Sequence, residues 1–211
     1  MHVAFRGKPG NAAVSAKRGS QARVLRIIAG SWRGRKLRFP GSAGLRPTPD
    51  RVRETLFNWL GARTAGARCL DLFAGSGALG LEALSRGAAH VTFVEHEPDA
   101  ARELRARLAE WGARDARVEQ RDAFTFLAGP ATAFDIAFLD PPFDAQLLAP
   151  AAQALEEGGW LKPGALIYVE CAARGALPSL PSDWQPLKAK RAGEVGYHLL
   201  VRAAPNPQLT A

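Results

Sequence analysis

The stretch Cys69-Leu70-Asp71-Leu72-Phe73-Ala74-Gly75-Ser76-Gly77-Ala78-Leu79-Gly80 decides the fold. It reads as a strand that runs into a glycine-rich turn and then a helix. Gly75, Gly77 and Gly80 fit G-x-G-x-x-G, in which the missing Cβ atoms let backbone pass close beneath a ligand. Glu95 follows about 20 residues later, at the end of the next expected strand, where a carboxylate can accept ribose hydroxyls. Formally this is a dinucleotide fingerprint. Asp71 argues against it: four residues before Gly75, its charge would repel a pyrophosphate. The same carboxylate suits a ligand carrying an ammonium and a sulfonium, as S-adenosylmethionine does. A tight strand–helix connection with no ligand is the plain alternative.

Beyond the loop, strand and helix alternate. Strands are expected at 68–72, 90–94, 116–121, 134–139 and 165–170, and helices at 78–86, 98–111, 123–127 and 147–157. Ile136-Ala137-Phe138-Leu139 is a continuous apolar run, as a parallel sheet covered on both faces requires. The end differs: 187–191 and 197–201 flank Gly193-Glu194-Val195-Gly196 with no helix between them, which predicts an antiparallel hairpin. The fold class is therefore α/β.

Asp140-Pro141-Pro142-Phe143 closes the 134–139 strand, at the carboxyl edge where open α/β sheets bind ligands. Two prolines fix φ and remove N–H donors, leaving a stiff loop with projecting carbonyls. Asp140 and the Pro141 carbonyl could then grip both hydrogens of an exocyclic amine. Acceptors out of the base plane favour a tetrahedral nitrogen and free its lone pair to attack a methyl group. Phe143 offers a face on which a base could stack, worth ~1–3 kcal/mol in comparable settings. The bland alternative is a strand-terminating turn with a core Phe.

Charge is unevenly spread. The 211 residues hold 28 Lys and Arg against 20 Asp and Glu, a net charge of +8. Through Arg53 there are thirteen basic residues and one acid, Asp50; the first quarter carries +12 and the rest −4. That asymmetry suits a polyanion-binding arm on a near-neutral body, although a solvated tail would also account for it. Residues 1–22 read as a disordered basic tail. Strands are expected at 24–29 and 32–39 about a tight turn at Gly30-Ser31. The second carries Arg33, Arg35, Lys36 and Arg38, and it could lie against phosphates or be an edge strand protected by charge. After the Pro/Gly punctuation of 40–47, Thr48 reads as an N-cap with Pro49 at the first helical position. Val52, Leu56, Trp59 and Leu60 form one apolar helical face, and Gly61 stops the helix.

Composition excludes several classes. Hydrophobic residues at 47% and charged residues at 23% exclude wholesale disorder. Two cysteines, Cys69 and Cys171, without CxxC exclude a disulfide scaffold and a Cys-rich zinc site; no metal site is expected. No apolar run approaches the ~20 residues of a membrane span, and no hydrophobic leader segment is present. A cytoplasmic protein without membrane contact is expected.

Taken together, Asp71-Leu72-Phe73-Ala74-Gly75-Ser76-Gly77, Glu95 and Asp140-Pro141-Pro142-Phe143 resemble class I S-adenosylmethionine-dependent methyltransferases acting on a base amino group. Arg26-Ile27-Ile28-Ala29-Gly30, Trp32-Arg33-Gly34-Arg35-Lys36-Leu37, Leu45-Arg46-Pro47-Thr48 and 50–60 are similar to the bacterial small-subunit rRNA guanine-N2 methyltransferase family, which modifies guanine 966 of 16S RNA. The resemblance runs from about Arg23 to Arg202. It implies a Rossmann-like, seven-stranded, mostly parallel sheet with the C-terminal hairpin as its antiparallel edge. The implied organisation is a tail at 1–22, an RNA-binding hairpin and helix at 23–61, a methyltransferase domain at 62–203 and a flexible tail at 204–211.

The resemblance also implies site residues. Asp71, Phe73, Ala74, Gly75, Ser76, Gly77, Glu95 and His96 would surround S-adenosylmethionine, with Asp122 and Ala123 near its adenine. Thr48 and Arg51 would close over the methionine end, although an N-cap and a solvated Arg explain them equally well. Asp140, Pro141, Pro142 and Phe143 would be catalytic, and Arg26, Arg33, Arg35, Lys36, Arg38 and Arg46 would bind RNA. The implied partner is 16S rRNA, within the 30S subunit or an assembly intermediate, met by a monomer. Three other readings stay open: methylation of adenine or cytosine amino groups in another nucleic acid, a nicotinamide-dependent oxidoreductase, and a non-catalytic ribosome-assembly factor.

Overall fold

The computed structural model describes residues 23–39, 49–142, 146–174 and 177–204. The two expected tails up to residue 22 and from 205 onward lie outside the described residues. The central sheet has seven strands in the order β5-β4-β3-β6-β7-β9-β8. These are β3 (Arg68–Asp71), β4 (His90–Val94), β5 (Ala116–Glu119), β6 (Phe134–Leu139), β7 (Leu161–Ala172), β8 (Trp184–Ala192) and β9 (Val195–Arg202). β3 to β7 pair in parallel, and β9 and β8 add antiparallel. This is the expected Rossmann-like sheet and C-terminal hairpin. The chain builds outward from β3 to β5 and then crosses back to lay β6 on the other side of β3. That reversal opens a crevice at the carboxyl ends of β3 and β6.

Helices cover both faces. On one lie α1 (Asp50–Leu60), α2 (Ala78–Ser85) and α3 (Pro98–Glu110); on the other lie α4 (Ala123–Leu127) and α5 (Leu148–Glu157). α1 presents Val52, Leu56, Phe57 and Leu60 inward, with Phe57 6.0 Å from Phe138 and Trp59 stacked 5.4 Å from Tyr197. α1 thus spans the sheet from β6 to β9. Gly61 ends it at φ +52, as expected, and an unforeseen 3-10 turn, Gly61–Thr64, leads into β3. The helix begins one residue later than expected. Pro49 occupies the N-cap position, and its carbonyl accepts the Val52 N–H at 2.9 Å. Thr48 lies outside the described residues.

The N-terminal hairpin departs most from expectation. β1 (Arg23–Arg26) and β2 (Lys36–Phe39) pair antiparallel, but residues 27–35 form a broad loop, not strands about a two-residue turn. Arg33 and Arg35 therefore sit in the loop. The reason lies in where the backbone bonds go. Ile28 and Ala29 donate their N–H groups to the Glu82 carboxylate, at 2.8 and 3.0 Å. Trp32 donates to Ser85 Oγ at 3.0 Å, and Ser31 to the Ser85 carbonyl at 2.7 Å. Gly30, at φ +82, presses so closely on Ser85 that a Cβ would stand 1.8 Å from its carbonyl oxygen. Cross-strand bonding continues only as far as Ile27, whose N–H donates to the Arg35 carbonyl at 3.0 Å and whose carbonyl accepts from Gly34 at 2.9 Å; Ile28, Ala29, Ser31 and Trp32 bond to α2 instead.

Glu82 is fully buried, and its carboxylate also accepts from Arg86 Nε at 2.8 Å and from the buried Arg53 at 3.4 Å. Arg53 in turn donates to the Arg26 carbonyl and to Asp50, both at 2.7 Å. Glu82→Ala would leave two backbone donors without their acceptor and strip the buried Arg53 of one of its two carboxylate partners. Removing one partner of a buried pair costs about 3–5 kcal/mol. Asp99 pairs with Arg102 in full solvent, so Asp99→Ala should change stability by less than ~0.5 kcal/mol. Equilibrium urea unfolding of the two variants checks the contrast.

Candidate active site

The glycine loop is held by the two strand ends beside it. Leu72 donates its N–H to the Phe138 carbonyl at 3.1 Å and Ala74 to that of Val94 at 2.9 Å. Gly75 and Gly77 then turn through φ +51 and +75, in the left-handed region that favours glycine. A Cβ on Gly77 would meet Leu104 at 2.6 Å, and one on Gly80 would meet the Phe93 ring at 2.2 Å. Gly80 thus serves close helix–sheet packing. Phe73, Gly75 and Ser76 are half-buried at the crevice, and Ala74 is buried.

Two buried carboxylates brace this loop. Glu95 Oε2 accepts from the Gly75 N–H at 2.6 Å, and Oε1 from the Glu97 N–H at 2.8 Å. Asp71 accepts from the Gly80 N–H at 3.0 Å. Burial pushes the Asp71 carboxyl up to about 7; the Gly80 bond opposes the shift and the charge of Glu95 adds to it. The carboxylate oxygens have lone pairs beyond those the backbone uses. His96 is exposed beside Glu95 and Glu97, at 3.3 and 3.1 Å. Asp122 caps α4, accepting from the Phe124 and Thr125 N–H groups at 2.8 and 3.2 Å; Ala123 behind it is buried.

Across the crevice, Asp140 follows β6, which pairs with β3 through Asp71 and Phe138. The glycine loop and the Asp140-Pro141-Pro142 turn are therefore neighbours at the carboxyl edge. Asp140 is half-buried, Pro141 buried and Pro142 exposed; Phe143 lies outside the described residues. The Tyr168 hydroxyl donates to Glu170 at 2.8 Å, and burial, then the charges of Glu170 and Asp140, hold its proton firmly. The crevice thus brings together Asp71, the glycine loop, Glu95 and Asp140. Such a donor set fits a cationic ligand with vicinal hydroxyls: buried carboxylates for the charge and the diol, and a positive-φ loop for close approach.

The other expected residues are spread wider. Arg51 is exposed and lines a cleft of about 300 Å³ with Thr55, Arg191, Ala192, Gly193 and Tyr197. Arg26 and Arg33 line another of about 300 Å³ with Asp50 and Glu54. Arg35 lies 5.3 Å over the Trp111 ring, against which Trp32 also packs, and Lys36 is exposed. Arg46 and the Arg38 side chain lie outside the described residues. Arg53 belongs to the basic count of the first quarter, yet it is a buried strut. Its spacing to Phe57 and Leu60, four and seven residues on, marks the inward helical face and could have exposed this.

A family model described as "Conserved hypothetical protein 95" matches residues 25–201. The Escherichia coli (strain K12) protein named ribosomal RNA small subunit methyltransferase D is 52% identical over 85% of this chain and 91% of its own length. The Haemophilus influenzae protein of the same name is 49% identical over 83% and 92%. Among solved structures, a candidate methyltransferase of Escherichia coli superposes with a TM-score of 0.80 at 50% identity, covering 86% of this chain and 99% of that one. A hypothetical protein of Thermus thermophilus gives 0.70 at 35% identity, covering 83% and 98%.

Asp71 carries a pH signature. Between its ordinary value of 3.8 and about 7 the native carboxyl keeps a proton that the unfolded chain has released. The native state then binds more protons, so its stability falls as pH rises through that window and levels off above about 7. Asp71→Asn cannot ionise and should lack this slope. Unfolding free energies of wild type and variant, measured from about pH 5 to 8, should differ by an amount that changes with pH; a constant difference would refute the shift.

Proposed function

The chain belongs to the conserved hypothetical protein 95 family and to that of ribosomal RNA small subunit methyltransferase D, and on this premise we propose that it transfers a methyl group from S-adenosylmethionine to N2 of one guanine, position 966, of 16S rRNA. The observation that carries this reading is the adjacency, across β3 and β6, of the Asp71–Gly77 loop and the Asp140-Pro141-Pro142 turn. A nicotinamide-dependent oxidoreductase would use the loop and leave the turn without a task. The substrate is met within the 30S subunit or an assembly intermediate, where the shape of the particle can supply recognition.

S-adenosylmethionine supplies an electrophilic methyl group on a sulfonium. Gly75 and Gly77 allow the backbone to pass beneath it, Glu95 accepts its ribose hydroxyls, and Asp71 faces its cationic end. Phe73, Ala74, Ser76 and His96 complete the surround, with Asp122 and Ala123 toward the adenine. Asp71 ionises when a cation approaches, because the new attraction offsets its burial. Cofactor affinity should therefore rise with pH up to about 7.

At the other side of the crevice, Asp140 and the Pro141 carbonyl accept the two hydrogens of the guanine amino group. Held out of the base plane, they draw the nitrogen toward a tetrahedral shape. Asp140 is the ionisable member of the pair and takes the proton the nitrogen sheds. Positioning and fixed charge carry the acceleration, with no covalent enzyme intermediate. The base must leave its stack to enter, and the ring that follows the turn in sequence, Phe143, would be the one it stacks on.

Mass mapping of methyl groups on small-subunit rRNA from cells with and without the protein tests the assignment. One guanine should lose its methyl group with the gene; an unchanged map would overturn it. Asp140→Ala should slow transfer at least a hundredfold, roughly the effect of losing one transition-state hydrogen-bond partner, while binding of S-adenosylmethionine by calorimetry persists. Neutralising Arg33, Arg35, Lys36 and Arg38 should weaken RNA binding and flatten its salt dependence.

A further inference from the structure

Among the described residues the strand β8 is an edge that pairs with β9 alone. Seven consecutive residues, Gln185 to Arg191, are exposed. From Trp184 to Gly193 the sequence has three cations, Lys188, Lys190 and Arg191, and no acid. Register puts Lys188 opposite Leu199 and Lys190 opposite Tyr197. Directly opposed residues share a sheet face, and Leu199 and Tyr197 belong to the core under α1. The two lysines therefore stand on the face that α1 covers, beside the Trp59–Tyr197 stack. Arg191 ends the strand at the cleft it shares with Arg51 and Thr55. That cleft lies at the carboxyl end of β7, where Ala172 pairs with Val195. It is thus on the same edge of the sheet as Asp140.

We propose that β8 and the Arg51–Arg191 cleft form a second RNA-binding track, which takes the phosphate backbone on the side of α1 away from the N-terminal arm. The proposal rests on the RNA methyltransferase reading and adds a contact to it. Lysines alone could serve to guard an edge against aggregation. One feature points to a ligand instead: the cationic strand ends at a cleft lined by two arginines, Arg51 and Arg191, together with Thr55, Ala192, Gly193 and Tyr197. The geometry favours nucleic acid over an acidic peptide. Lys188 and Lys190 are two residues apart in a strand, about 6.7 Å along it, close to the step between successive phosphates of one chain. The described part of the N-terminal arm, residues 23–39, and this strand then flank α1 on its two sides, and a structured RNA spanning both would be fixed in orientation over the crevice.

The test uses the full chain and small ribosomal subunits or assembly intermediates from cells lacking the protein, with binding measured across a salt series. The combined variant Lys188→Ala, Lys190→Ala, Arg191→Ala should bind about tenfold more weakly near 0.15 M salt, with a log–log salt slope shallower by about 2. Its affinity for S-adenosylmethionine should match wild type, which certifies the fold. Lys188→Arg with Lys190→Arg should restore affinity, because charge and not packing is at issue. A triple variant that binds like wild type, while the neutralised arm binds weakly, would overturn the second track and leave the function standing. Loss that the arginine pair fails to restore would also overturn it. Wild-type protein with no salt-dependent binding to these particles would overturn both readings.

Discussion

One buried carboxylate holds the two ends of this molecule together. Glu82 lies on α2, the helix that follows the glycine loop, and it has no exposure to water. An ionised carboxylate in that position persists only with its lone pairs filled. Here the partners are backbone N–H groups of Ile28 and Ala29 and the guanidinium groups of Arg86 and Arg53. None of these lies in the next turn except Arg86. The pairing requirement thus turns a local helix residue into an anchor for a segment some fifty residues earlier in the chain. Arg53 extends the anchor to α1 through Asp50 and the Arg26 carbonyl. Residues 23–39 are consequently a fixed part of the body's surface, with Leu25, Ile27 and Leu37 in the same core as Phe93 and Phe138.

The crevice obeys a related constraint. Asp71 and Glu95 each give an acceptor to a backbone N–H of the loop or the helix after it. These bonds fix the loop before any ligand arrives, so little ordering remains to oppose binding. The same carboxylates keep lone pairs beyond those these bonds use. Asp71 is costly to ionise in isolation, and its raised pKa measures that cost. A cation placed against it recovers the cost, which couples cofactor charge to the stability of the loop.

The parallel sheet was legible because its signal is local. Apolar runs such as 136–139 and the punctuation of G-x-G-x-x-G specify strand, turn and helix within a dozen residues. β4, β6 and α4 fall where the pattern puts them. Asp71, Glu95 and Asp140 were legible for the same reason, since each closes a recognisable strand. The N-terminal loop was not. Its hydrogen-bond partners, Glu82 and Ser85, lie more than fifty residues away, and pattern alone defaults to a hairpin. Arg53 was miscounted on similar grounds. A charge in a basic segment looks like surface until its place on the helical face, in line with Phe57 and Leu60, is weighed.

The division of charge into a +12 first quarter and a −4 remainder is a property of the chain order, not of the surface. Folding redraws it. Arg53 leaves the surface altogether, and part of the arm's charge is spent on local acids: Asp50 and Glu54 share the cleft of Arg26 and Arg33. In the nominally acidic body, the acids Asp71, Glu82, Glu95, Glu119 and Glu170 are buried, where they address the interior and the crevice. Lys188, Lys190 and Arg191 stay outside on one edge strand. The field that a polyanion meets is set by exposed charge at close range, because screening at physiological salt confines it to about 8 Å. By that measure the body's surface is close to neutral, with three cations gathered on one edge strand and two buried acids, Asp71 and Glu95, at the carboxyl edge of the sheet. Chain-order charge and surface charge are thus different quantities, and only the second can steer a charged partner.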